Sequence, residues 1–319
     1  AGLEGADFAD GVPKGSSPLR LVTGSAGGFV TARGGLLGKE RALELHVAVN
    51  CCHGGPGEDG TLQGVLDSAG VRYTGPTVAG AAIGMDKLAF GALVDAAGLP
   101  SLPRVALTAG TDKLEFEGPY IVKPRFGGSS IGIDVVEDLE TARQRLSRNV
   151  HLAAGAVVEP YRPGSVDLEI ALRAFPSLQL SAIDKPERVT AGGEILSYRD
   201  KYVGGEGMSS APRQLPARID PAVGARVREA ATVVADLVDV RGIARLDFLL
   251  EGDDLYVNEI NTIPGSLSWH MWVDPAIPFA TLLSDMLEEA ARRPSIRYST
   301  AGADGTALRS AGTIQGKLG

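Results

Sequence analysis

Cysteine is nearly absent from this chain of 319 residues: only Cys51 and Cys52 occur, side by side. Neighbours on a strand face opposite ways, so a bond between them would strain the peptide. No disulfide framework can therefore be built. Both thiols are expected as small buried residues of a strand over 46–52. Cysteine this sparse fits a reducing, cytoplasmic setting. Long apolar runs are lacking too. None approaches the roughly 20 residues of a membrane span, so no membrane partner is expected. Positive charge is in deficit, at a net −8, which excludes a general nucleic-acid-binding surface. An anionic nucleotide would have to be met by a few lysines and arginines gathered locally. The opening Ala1-Gly2-Leu3-Glu4-Gly5-Ala6-Asp7 has no charged start, no apolar stretch and no Met. It is not a signal peptide, and the chain is expected to begin partway through its natural protein.

Hydrophobic content of 44% and charged content of 22% suit a globular protein with room for two or three domains. Residues 1–45 are loose, with one strand-like run at Leu19–Thr23. A strand at 46–52 leads through the turn-rich His53–Gly60 into a helix from Thr61 to Ala69. A short strand follows at Val71–Thr74. Asp86–Ala97 reads as a helix closed by Gly98 and Pro100. Strands are expected at 120–124, 131–135, 156–159 and 166–174, with a helix at 138–148. Residues 184–218 have many turn formers and read as a functional loop holding a short strand near 194–198. Pro221–Val240 carries a helical apolar stripe. Ile243–Leu250 and Leu255–Ile260 form a hairpin, and a last helix spans 276–292. The polar, Gly-rich 296–319 reads as a flexible tail. The order suggests an α+β arrangement with a ligand between two halves.

The hairpin carries the strongest chemical signal. Arg245 and Asp247 share one face of its first strand; Leu255, Val257, Glu259 and Asn261 are expected to share a face of the second. The tight turn places Asp247 beside Glu259. Adjacent carboxylates repel, and a hard divalent cation removes that repulsion. An exposed charged hairpin is the bland alternative, weakened by the apolar residues between the charges. A second signal is Lys123-Pro124-Arg125-Phe126-Gly127-Gly128-Ser129-Ser130. A lysine ending a strand before a Gly/Ser loop suits phosphates, although a plain β-hairpin with a glycine turn would also explain it. His53-Gly54-Gly55-Pro56-Gly57-Glu58-Asp59-Gly60 ends a strand and opens a helix, where anions and small substrates bind. Lys87, Glu159 and Lys201, each taken alone, read more readily as solvated surface charges than as ligands.

In order, these stretches resemble the ATP-grasp superfamily, and within it the D-alanine–D-alanine ligase family, over about residues 46–292. The matching runs are His53–Gly64, Met85-Asp86-Lys87, Ile121–Gly132, Val157-Val158-Glu159, Asp167–Ile170, Lys201-Tyr202, Gly242–Asp247 and Asn258–Gly265. The resemblance implies an ATP-grasp fold with nucleotide between two α+β halves, at 81–170 and 171–295. A Rossmann-like α/β domain at 1–80 would precede them. It implies an ATP-dependent carboxylate–amine ligase working through an acyl phosphate, with small amino acids as substrates. ATP and two Mg²⁺ ions (or Mn²⁺) would serve it, and a homodimer is allowed. By the same resemblance, Lys87, Lys123 and the Gly128, Ser129 and Ser130 loop would hold phosphates. Glu159 and Tyr161 would frame adenine, and Asp167 the ribose. Lys201 would reach in from a lid. Asp247, Glu259 and Asn261 would bind metal. Arg245 and the Gly265 N–H would stabilise the oxyanion, with His53 beside the first substrate.

Two departures stand out. The family's early Gly-Gly-x-Ser-x-Glu run is missing: Gly27-Gly28-Phe29-Val30 has no Ser-x-Glu after it. Either that segment lies before Ala1, or the first substrate differs. After Gly265 comes Ser266-Leu267-Ser268-Trp269-His270-Met271-Trp272, bulkier than the family's serine-bearing turn. Ligation of another amino or hydroxy acid, a non-catalytic nucleotide-binding remnant, and a small-molecule kinase remain as alternatives.

Overall fold

The structure is a computed structural model that describes residues 7, 11–24, 27–31, 40–128, 130–187 and 212–295. Among these residues, eleven strands form three antiparallel sheets. A ribbon pairs β1 (Leu19–Val22) with β2 (Gly28–Thr31). A four-stranded sheet runs in the order β3 (Val105–Leu107), β6 (Ala156–Pro160), β4 (Tyr120–Pro124), β5 (Asp134–Val136). A five-stranded sheet runs β11 (Asp254–Asn261), β10 (Ile243–Glu251), β7 (Val166–Arg173), β8 (Gln179–Pro186), β9 (Arg213–Gln214).

The helices are α1 (Thr61–Ser68), α2 (Val78–Met85), α3 (Lys87–Ala96), α4 (Leu139–Arg148), α5 (Pro221–Leu237) and α6 (Phe279–Arg292). The Pro221–Val240 stripe works as its spacing requires. Val223, Val227, Ala230 and Val234 of α5 sit in one cluster with Leu168 and Ile170 of β7 and Leu246 and Phe248 of β10. Deleting one such buried side chain to Ala costs roughly 2–5 kcal/mol for the larger residues. With α5 covering one face of the five-stranded sheet, polar side chains take the part of the opposite face not covered by the apolar cluster of Ala171, Ile243, Met271 and Leu282.

Several expectations fail here, each for a local reason. Residues 46–52 form no strand. Ala48 makes one isolated parallel bridge to Tyr73, and Val49 is 49% exposed. Cys51 and Cys52 are exposed, not buried. The expected helix at Asp86–Ala97 does form, as α3, but a helix that was not expected, α2, ends directly before it. Asp86 caps α3 by accepting from the Leu88 and Ala89 amides at 3.0 and 3.3 Å, so α2 must end before it. β8 occupies part of the expected loop region. The expected strand near 194–198 and the tail at 296–319 lie outside the described residues.

The hairpin also differs from simple alternation. Asp247 pairs with Glu259, as spaced, but Phe248 pairs with Val257, which leaves Asn258 as an extra residue. This β-bulge turns Val257 and Leu255 into the core with Phe248. Glu259 and Asn261 go with Asp247 and Arg245 to the opposite face. Leu255 and Val257 therefore do not share a face with Glu259.

Candidate functional site

The polar face of the five-stranded sheet carries one cross-strand row of carboxylates. Asp184 on β8 pairs with Glu169 on β7, Glu169 with Asp247 on β10, and Asp247 with Glu259 on β11. Directly paired residues in a sheet share a face, so four acids stand in line. Arg245 is set into this line. Its guanidinium donates twice to Asp247, at 2.7 Å each, and its Nε lies 3.3 Å from Glu169. Burial alone would lower the Arg245 pKa, but the charges of Asp247 and Glu169 hold it well above the ordinary value. Glu169 is pushed up to about 8, first by burial and then by Asp247, Asp184 and Asp167; Arg245 opposes this. The forked grip of Arg245 is already taken by Asp247, so Glu169 gains less from it.

Asn261 donates to Asp247 at 3.0 Å, so its side chain lies among the same oxygens. Among the described residues, no three His, Cys, Asp or Glu side chains converge into a protein-only metal cage. Two carboxylates and an amide oxygen are instead the partial set Mg²⁺ takes when phosphates and water complete its shell. The donor chemistry of Asp247, Glu259 and Asn261 fits that ion.

The phosphate-loop candidates dock on the start of α3. Arg125 grips Asp86, with Nε at 2.8 Å, and accepts the Lys87 amide at 3.2 Å. Burial would raise Asp86, but the Arg125 hydrogen bonds outweigh it and keep its carboxyl low. Lys87 Nζ donates to the Gly127 carbonyl at 2.6 Å and lies 3.4 Å from Glu259. The loop and the metal-site candidates thus meet through one ammonium. Ser130 follows at a left-handed φ of 59°, and Gly128 is exposed. Ser129 and Lys201 lie outside the described residues.

Lys123, on β4, is buried, with Nζ 2.6 Å from Glu159 and 3.5 Å from the Asn258 side-chain oxygen. Glu159 is 1% exposed. Burial would raise its pKa, but Lys123 and Arg104 pull it below the ordinary value. Its carboxylate therefore faces cations. Tyr161, just beyond β6, donates its amide to the Pro119 carbonyl at 2.8 Å, and Asp167 sits half-buried near the start of β7.

The last wall is the His53 loop. Glu58, 4% exposed, accepts from the Gly54 amide at 2.7 Å and the Ile263 amide at 2.8 Å. His53 Nδ1 lies 2.8 Å from the Ile263 carbonyl and 3.3 Å from Glu58. The hydrogen bond to Glu58 is the largest effect on His53 and raises its pKa, against the burial that lowers it. This pins the Ile263-Pro264-Gly265 turn. After Gly265 come three consecutive left-handed residues, Ser266, Leu267 and Ser268. Trp272 is buried, His270 nearly so, and Trp269 is 46% exposed. A cavity of about 420 Å³ lies between these walls, bordered by His53, Lys87, Gly128, His151, Glu259 and Asn261.

The structure thus gathers His53, Lys87, Gly128, Arg245, Asp247, Glu259, Asn261 and Gly265 around one region. Sequence reasoning missed Glu58, Arg104 and Glu169. Glu58 sat in a quoted motif but looked like a turn residue. Arg104 lies before a three-residue strand that carries no clear pattern. Glu169 looked like the polar half of an alternating strand.

Two sheet-bearing halves with a lysine–glycine loop on one and paired carboxylates on the other define an ATP-grasp ligase, a class of enzyme. Residues 93–288 match the family described as D-ala D-ala ligase C-terminus, and 25–76 its N-terminus. The chain belongs to the D-alanine–D-alanine ligase family. It is 34% identical over 312 residues to the D-alanine–D-alanine ligase of Mycolicibacterium vanbaalenii, covering 92% of this chain and 80% of that one. The enzyme of Nocardia farcinica is 36% identical over 256 residues, 76% of this chain and 69% of its own. Among solved structures, the D-alanine–D-alanine ligase of Helicobacter pylori matches at a TM-score of 0.66 and 26% identity, covering 89% and 81% of the two chains. The VanG D-Ala:D-Ser ligase of Enterococcus faecalis shares the fold at a TM-score of 0.71 and 24% identity, covering 86% and 79%. Family membership makes this an ATP-dependent ligase that forms a peptide bond and uses Mg²⁺. No helix among the described residues is long and apolar enough to cross a membrane.

Proposed function

We propose that the chain joins two D-amino acids, D-alanine in the first position, into a dipeptide, releasing ADP and phosphate. The observation that carries this is the Asp247–Glu259 pair, with Glu259 in ion contact with Lys87, which in turn holds the Gly127 loop, at the edge of one cavity.

A carboxylate is a poor electrophile, and transfer of the γ-phosphoryl group gives it a leaving group. Lys87 and Lys123, with the amides around Gly128 to Ser130, would hold the phosphates. Asp247, Glu259 and Asn261 would hold two Mg²⁺ ions, or Mn²⁺, which neutralise charge on the transferred group. The Pro160–Arg162 backbone would border adenine, with Glu159 anchoring that strand, and Asp167 would take the ribose. Arg245 and the Gly265 N–H would then meet the oxyanion that forms when the amine attacks the acyl phosphate. His53, fixed by Glu58, would stand beside the first carboxylate. Lys201 would approach from the segment after β8 and help exclude water.

In this reading the N-terminal domain is 1–80. We place the boundary between the later halves at the 161–165 turn, because β7 belongs wholly to the five-stranded sheet. A cytoplasmic homodimer is part of the same proposal. The test is ATP-dependent phosphate release across paired D- and L-amino acids and hydroxy acids, with product masses. Release and a dipeptide mass with D-alanine pairs supports the reading. A phosphorylated product without free phosphate would overturn it in favour of a kinase.

A further inference from the structure

Arg104 precedes β3 and touches both sheets. Its Nε lies 3.1 Å from Glu159 on β6, and NH1 donates to the Lys87 carbonyl at 3.3 Å. NH2 reaches the Val257 carbonyl at 3.4 Å and, more closely, the Asn258 carbonyl. Its side chain is 5% exposed. The stem crosses α3 at Gly91, where a Cβ would fall 2.8 Å from Arg104 Cδ; only glycine lets it pass.

The two carbonyls at NH2 flank the β-bulge. β11 is the edge of its sheet, met on its outer side by one isolated bridge between Val257 and Ser101, and the extra residue Asn258 is paired with no residue of β10. Buried carbonyls without a partner are costly, and a planar guanidinium can serve two at once. The bulge itself decides which way the end of β11 faces. Without it, strict alternation would put Glu259 on the same face as Val257, in the core and away from Asp247.

The other arm of Arg104 acts on charge. Lys123 and Arg104 share the single buried carboxylate of Glu159. Two cations against one anion leave a net positive charge beside the nucleotide region. With Arg104 gone, Glu159 would neutralise Lys123 by itself.

Resting on the functional reading above, we propose that Arg104 is a positioning residue for both halves of the ATP–metal site: it locks the bulge at Asn258 that turns Glu259 toward Asp247, and it shares Glu159 so that Lys123 keeps charge for phosphate. No contact of Arg104 with substrate is required.

The test uses the full chain with Arg104→Met, which keeps the stem over Gly91, and Arg104→Lys, which keeps charge but loses the fork. ATP binding is measured by calorimetry without amino acids, with and without Mg²⁺, beside steady-state kinetics. Arg104→Met should weaken metal-free ATP binding at least fivefold and raise the Mg²⁺ requirement at least tenfold. Arg104→Lys should keep metal-free ATP affinity within about twofold while still needing more Mg²⁺. Adding Glu159→Gln to Arg104→Met should recover part of the metal-free affinity. If Arg104→Met only lowers the melting temperature, with ATP and Mg²⁺ affinities within twofold of wild type, the proposal falls. Should Arg104→Met not fold, the split seen in Arg104→Lys decides alone, and equal losses with and without Mg²⁺ overturn it. Normal turnover in Glu259→Ala would instead sink the metal-site reading, separately from Arg104.

Discussion

Replacing Glu58 by glutamine tests how the His53 loop is tied to the Gly265 turn. The carboxylate is buried and accepts two backbone amides at 2.7 and 2.8 Å, one from its own loop and one from Ile263. Hydrogen bonds to a charged group contribute about 1.5–3 kcal/mol each, and an orphaned buried amide costs about 1–3 kcal/mol. Glutamine keeps one acceptor oxygen and turns an NH₂ on the other amide. One charged bond is lost and one becomes neutral, so the net destabilisation should be about 2–3 kcal/mol. Alanine, which orphans both amides, should cost more. Urea denaturation at constant m-value reads this directly. The pH dependence adds a second check. The folded-state pKa of His53 is raised, chiefly by Glu58. Its contribution is fully present below the unfolded value near 6.5 and disappears as pH climbs through the folded value. The gap between wild type and Glu58→Gln should therefore narrow toward alkaline pH. Because the Gly265 N–H hangs on the same turn, kcat should fall as well. A Glu58→Gln protein within about 0.5 kcal/mol of wild type, the scale of an ordinary surface change, would refute the argument.

Glu259→Ala should abolish turnover while leaving the circular dichroism spectrum and melting cooperativity intact; measurable activity at saturating Mg²⁺ would contradict its role. Arg245→Ala should depress kcat far more than KM, since its interaction belongs to the transition state, and a change confined to KM would exclude it. Glu169→Gln should flatten the pH dependence of stability in the metal-free protein. With a folded pKa of about 8 against 4.5 unfolded, the native state holds an extra proton between those values. Wild-type stability should thus decline as pH rises from about 4.5 to 8, and an unchanged slope in Glu169→Gln would count against the assignment.

The hairpin was legible because its face is set by a period of two and its turn by Gly252. Asp247 and Glu259 do pair. What alternation could not reveal was the bulge, because Asn258 looks like any polar strand residue until its partner strand is known. β8 was hidden for a related reason. Gln179, Ser181, Asp184 and Lys185 make it too polar to read as a central strand, yet Ser181 and Asp184 are fully buried. Asp184 is matched by Arg213, at 2.6 Å and 29 residues away. Conversely, the apolar run at 46–52 promised a strand, but a strand needs edges to bond, and among the described residues only Ala48 of this run finds one. The lysines and the glycine loop were readable as phosphate chemistry. That Lys87 would bond Gly127, forty residues on, is a property of the fold alone.

The line of Asp184, Glu169, Asp247 and Glu259 has a consequence for how the protein holds together. Four carboxylates at neighbouring strand spacings are held together by Arg213, Arg245 and Lys87 and by the proton that Glu169 keeps up to about pH 8. Any divalent ion that settles there only in the folded chain adds RT ln(1 + [ion]/Kd) to its stability. Cation uptake and cohesion of the sheet are then one linked equilibrium, so a melting curve recorded against magnesium concentration is also a binding isotherm.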